Sequence, residues 1–109
     1  MSKVLHLTLK KKWFDMIASG EKKEEYREIK EYWEIRLGLS DLIEYPENYN
    51  FTHVVARNGY QKNAPKINWE TGRIKIGKPN PAWCELEDVG KEVFILPIKN
   101  VTHLTTKTK

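Results

Sequence analysis

Within its first 28 residues this chain changes its apolar period twice, and that switch sets the kind of fold available to it. Val4, Leu5, Leu7 and Leu9 alternate roughly with His6, Thr8 and Lys10, the period-two pattern of a strand with one face in the core. From Lys11 to Ser19 the apolar residues Trp13, Phe14, Ile17 and Ala18 fall at helical spacing, and Gly20 follows where a left-handed residue would close the helix. Period two then resumes, with Lys23, Glu25 and Arg27 on one face and Lys22, Glu24, Tyr26 and Glu28 on the other. Strand, helix and strand in so short a compass predict a mixed α+β domain.

The remainder extends that pattern. "IKEYWEIRL", residues 29 to 37, carries Ile29, Tyr32, Trp33, Arg36 and Leu37 at helical spacing before Gly38, which predicts a second helix. "SDLIEYPENYN" reads as a loop, and "FTHVVARNGY" as a β-branched strand closing on an Asn58-Gly59 turn. "KINWETGRIKIG" predicts two short strands joined at Thr71-Gly72. "KEVFILPIKNVTHL" is the most continuous apolar run and predicts a central strand, with Pro97 marking a bulge or edge. The expected architecture is a small mixed β-barrel flanked by two or so helices, one domain over residues 1–104 with a flexible polar tail at 105–109.

Composition narrows the function classes. With 109 residues and 39% apolar content there is room for one core and one domain. Cys84 is the single cysteine, so no internal disulfide and no cysteine-built metal site is expected. The apolar run before Lys10, Lys11 and Lys12 is too short for a signal peptide or membrane span, and a cytoplasmic setting follows as the expectation. His6, His53 and His103 have no ligand spacing, so neither a metal nor another cofactor is expected. The glycines near "TGRIKIG" lack a phosphate-loop pattern.

Two charged regions remain. Alternating Lys and Glu on an exposed strand ordinarily form cross-strand pairs worth a few tenths of a kcal/mol, which suits Glu21, Lys23, Glu24 and Glu28. Lys22, Glu25 and Arg27 differ, because a glycine stop lets the backbone turn and aim them into a cleft; Arg27 would bind oxygen in a fork while Glu25 accepts from an exocyclic amine. Period two leaves Lys22 on the other face unless the strand starts irregularly. Between Arg57 and Pro81 six bases face the single acid Glu70, a local charge of +5. Arg57, Arg73 and Lys75 there are candidate phosphate contacts, and Tyr60 and Trp69 candidate stacking rings, against the alternative that the lysines solubilise a hairpin and the aromatics fill the core. Trp13 and Trp33 read as core anchors, Trp83 as a cleft-rim residue and Cys84 as a buried structural thiol.

Gly20, Lys22, Glu25 and Arg27 match the G-x-K-x-x-E-x-R signature of the ASCH family, and the chain resembles that family along most of its length, from "LTLKKKWFDMIASG" through "RNGY" to "VFILPIKNVTHL". The resemblance implies a PUA-like barrel whose cleft gathers the motif residues and binds RNA or a modified nucleoside or nucleotide. One branch of the family hydrolyses acetylated cytidine with the motif lysine, a threonine at the motif glutamate position and a distant glutamate. Lys22 matches the first; Glu25 stands in place of the threonine; Glu70 and Glu85 both remain open for the third. The implied alternative to a binding module is a small hydrolase acting on a modified nucleoside or on RNA, with Lys22 as nucleophile or base, Glu25 as acid or base and Arg27 stabilising negative charge. A carboxylate beside Lys22 would favour its protonated form and so oppose that chemistry.

Overall fold

The computed structural model describes residues 3–30, 32–33 and 51–104. Among the described residues, seven strands, β1 (Lys3–Leu9), β2 (Glu24–Glu28), β3 (Phe51–Asn58), β4 (Lys66–Glu70), β5 (Lys75–Gly77), β6 (Val93–Pro97) and β7 (Lys99–Leu104), accompany the helix α1 (Lys11–Ala18). Two short 3-10 turns, Pro81–Trp83 and Leu86–Asp88, precede β6. The domain is α+β. Of the helix expected over residues 29 to 37, Tyr32 and Trp33 are helical and Ile29 and Lys30 are bends; the residues beyond 33, the expected 40–50 loop and the 105–109 tail lie outside the described residues.

The strands divide between two sheets, ordered β1-β3-β4-β7 and β2-β6-β5. β1 and β3 are parallel, a pairing that requires a crossover, here the segment carrying α1 and β2. Leu7 lies opposite Ala56, Ala56 opposite Ile67 and Val54 opposite Trp69, so one apolar row crosses three strands. That row packs with Phe14 and Ile17 of α1 and with Phe94, Leu96 and Ile98 to form the core. Burial of such side chains stabilises by roughly 1.5–3 kcal/mol each, so it far outweighs the surface pairs.

The apolar run from Val93 behaves differently from a single central strand. Val93 to Leu96 are all buried, as befits the middle strand of the second sheet, where β6 lies between β2 and β5. After Pro97 the chain leaves that sheet. Ile98 is buried, its N–H donates to the Lys23 carbonyl at 2.9 Å, and Lys99 opens β7 at the edge of the first sheet opposite Glu70. A proline has no N–H to continue the ladder, which accounts for the change of partner there. β4 and β5 likewise exist as expected but do not form a hairpin. They belong to different sheets, because the inward residues of β4 face the first core while β5 pairs with β6.

Candidate ligand-binding cleft

The site begins at the end of α1. Trp13, Phe14 and Ile17 hold the helix to the core, and its last turn closes with Ser19 N–H on the Asp15 carbonyl and Gly20 N–H on that of Ile17, both at 3.0 Å. Gly20 has φ +88°, a left-handed conformation that costs glycine little. The next free carbonyl, that of Met16, accepts the N–H of Lys22 at 2.9 Å. The helix end thus positions Lys22 directly. Residues 21 to 23 precede β2, so strand alternation does not govern Lys22, and its amine turns toward Glu25.

Three charges meet there. Lys22 and Glu25 are 1% and 3% exposed, and Lys22 Nζ lies 3.0 Å from Glu25 Oε1. The same amine donates to the Glu24 carbonyl and stands 4.6 Å from the Tyr26 ring centroid. Glu25 Oε2 accepts from Arg27, whose guanidinium also donates to the Tyr26 carbonyl at 2.9 Å and lies 4.9 Å from the centre of Trp33. Arg27 Nε is buried and has no hydrogen-bond partner among the described residues. Glu25 therefore bridges two cations, buried Lys22 and half-buried Arg27, an arrangement that makes their withdrawal from water tolerable. Burial lowers the pKa of Lys22; the attraction of Glu25 opposes this and the repulsion of Arg27 adds to it. Glu25 thus favours the charged amine, while burial has the larger effect on its proton affinity.

Tyr26 ties the site to the other wall. Its hydroxyl donates to Glu24 Oε1 at 2.6 Å and accepts the Asn80 N–H at 3.0 Å, while burial and the Glu24 bond raise its pKa. Glu24 is thus engaged with Tyr26 instead of being a solvated strand charge. Asn80 caps the turn that carries Trp83, its Oδ1 accepting the Ala82 N–H at 2.9 Å.

These groups floor a cleft of about 780 Å³ whose walls include the rings of Trp13, Tyr26, Trp33, Tyr60 and Trp83. Trp83 lines the cleft, half-buried; Trp13 and Trp33 reach the cleft as well as packing inward. Of the two candidate distant glutamates, Glu85 lines the cleft, accepting from Trp13 Nε1 at 2.8 Å with Lys10 Nζ at 3.0 Å, and these two donors lower its pKa. Glu70 is exposed at the end of β4 and does not line it. Cys84 lines it half-buried, with its pKa raised by burial.

The other candidates separate from this group. Tyr60 lines the cleft but is 87% exposed. Arg57 does not line it; its guanidinium donates to the carbonyls of Gly59, at 2.9 Å, and Gln61, and so braces the turn after β3. Trp69 is a correction. It is fully buried in the core between β3 and β7, and no ring face is open to a base. Arg73 and Lys75 are exposed, on the β4–β5 connection and on β5, away from the cleft. Sequence spacing had no means of finding Trp13 and Glu85 as a pair, since they are 72 residues apart.

Among the described residues no group of three His, Cys, Asp or Glu side chains is placed to hold a metal ion, and no helix is long and apolar enough to cross a membrane. Comparison with protein-family models, with curated proteins and with solved structures finds no match.

Proposed function

We propose that this chain is an ASCH-type module that binds RNA or a modified nucleoside through its base, in the cleft floored by Lys22, Glu25 and Arg27. The observation that carries this reading is the buried chain of ion pairs among the three motif side chains at the base of an aromatic-walled cleft. Buried charges are costly to keep, and a planar ring with donors and acceptors on its edge suits aromatic walls above a carboxylate and a guanidinium. We read the two sheets, joined through Ile98, as the halves of a PUA-like barrel, and the setting as cytoplasmic.

A second reading, hydrolysis of an acylated nucleoside, is favoured by the lowered proton affinity of Lys22. Lys22 would then act as base or nucleophile on the acyl carbonyl, with Arg27 stabilising the developing oxyanion. Glu25 in the threonine position weighs against it. One experiment tests both: the full chain is incubated with plain and acetylated cytidine and with short single-stranded RNAs, and binding and product are followed together. Binding without product supports the module. Product that disappears in Lys22→Ala supports the hydrolase, and neither binding nor product overturns both.

A further inference from the structure

The cleft carries its own statement about charge. Five carboxylates line it, Glu25, Glu28, Glu85, Glu87 and Asp88, against four cations, Lys10, Lys22, Arg27 and Lys91. Their depths differ. On the floor Lys22 and Arg27 are both engaged by Glu25, and on the wall Lys10 is engaged by Glu85. Nearer solvent, Glu28 is paired with Lys30 at 3.3 Å, which leaves exposed Glu87 and half-buried Asp88 with Lys91 as the one cleft cation outside the ion pairs of the described residues. The bases between Arg57 and Lys78 contribute nothing here, since none of them lines the cleft.

The rings divide in the same way. Lys12 and Lys22 stand over Trp13, Lys22 over Tyr26 and Arg27 over Trp33, at 4.6–5.5 Å from the ring centres. Among the described residues no cation stands over Trp83, Tyr60 or Tyr32, the last 58% exposed and edge-on to Trp33 at 4.9 Å. Tyr60 is 87% exposed and little held, whereas Trp83 is half-buried, packs against the cluster of Tyr26, Val93 and Ile95, and belongs to the turn capped by Asn80. A ligand ring entering the cleft therefore meets one firmly supported aromatic surface not already taken by a cation.

Resting on the nucleobase reading above, we infer that the cleft selects a nucleoside without phosphate, its base stacked on Trp83, and that the acidic lip of Glu87 and Asp88 turns away nucleotides. A base inserted toward the floor leaves its sugar at the mouth, and a 5′-phosphate would lie among carboxylates. A phosphate driven inward instead would have to compete with Glu25 for both floor cations. Either route is unfavourable, and repulsion at the lip weakens with salt.

The test is calorimetric titration of the full chain with cytidine, N4-acetylcytidine, uridine, adenosine and guanosine, each beside its 5′-monophosphate, and with a single-stranded RNA octamer, at low salt. The expected result is that at least one nucleoside binds and its monophosphate binds about tenfold more weakly. The double substitution Glu87→Lys with Asp88→Lys should narrow that gap to about threefold or less, and an unchanged gap would overturn the role of the lip. Trp83→Ala should lower nucleoside affinity roughly tenfold, and Trp83→Phe should recover most of it. A monophosphate that binds as tightly as its nucleoside or tighter, or an RNA octamer that displaces the nucleoside with equal or higher affinity, overturns the inference while leaving the nucleobase reading in place. Failure of every probe to bind overturns both.

Discussion

Residues 22–27 and residues 57–78 both set lysine and arginine among aromatic side chains, yet Lys22 and Glu25 are 1% and 3% exposed whereas Arg73 and Lys75 stand in solvent. The difference lies in the order of signs. In the first segment a carboxylate lies between two cations, so each cation has its counter-charge in contact and the three carry a net charge of only +1. In the second the bases have one acid among them, and what goes inside is apolar, Ala64, Ile67 and Trp69. Charge that is compensated within hydrogen-bond reach can be buried at a cleft floor; charge of one sign has to stay outside.

The strongest way to break this contrast is to remove the compensating group. Glu25→Ala leaves Lys22 and Arg27 buried side by side, and a loss of about 3–5 kcal/mol of unfolding free energy is expected in urea. Unfolding at the wild-type midpoint would show that the three charges are not interdependent.

A smaller effect depends on pH. The folded pKa of Lys22 is lowered, so between that value and the ordinary 10.5 the unfolded chain binds more protons than the folded one, and stability rises with pH through that window. Tyr26 acts in the opposite sense above its ordinary value of 10.0, where its raised folded pKa makes stability fall as pH rises. The two are separable by comparing urea midpoints of the wild type and Lys22→Met from pH 7 to 10. The rising component should be missing from the variant, and parallel curves would mean that burial does not govern this amine.

Tyr26→Phe sharpens the comparison from the neutral side. It deletes the hydroxyl that accepts from Asn80 N–H and donates to Glu24, and should cost about 1–3 kcal/mol because a backbone donor is left unpaired. Gly20→Ala should cost about 1 kcal/mol, since alanine at φ +88° is strained although nothing lies within 4 Å of the added carbon. Equal midpoints for Gly20→Ala and wild type would show that the helix stop needs no left-handed residue.

What could be read beforehand follows from the range of the forces. β1, α1 and the Gly20 stop are local: side-chain periodicity and one backbone conformation specify them, and they were legible in the residues themselves. So was the convergence of Glu25 and Arg27, which share a strand face. The destination of β6 and β7 was not, because an apolar run has the same composition whether it stays in one sheet or passes through Ile98 into another. The burial of Trp69 was legible only as one of two alternatives, since its neighbours Lys66, Glu70 and Arg73 advertise a surface strand while alternation sends its ring inward. Glu85 joined the site through Trp13 and Lys10, contacts made only once the chain has folded.

The smallest expected change in stability belongs to Arg73→Ala with Lys75→Ala. Both side chains are exposed and outside any ion pair described here, so the urea midpoint should not move measurably. Their effect should appear in a different quantity. If this surface tracks phosphates, binding of a single-stranded RNA octamer weakens with salt, and each lost contact lowers the slope of log affinity against log salt by about one. The expected result is a slope reduced by about two with nucleoside binding in the cleft unchanged, because neither residue lines it. An unchanged slope would remove this surface from RNA binding and leave its bases as solubilising charge. A change in nucleoside affinity would break the comparison itself, since it would couple two regions that burial and sign of charge keep apart.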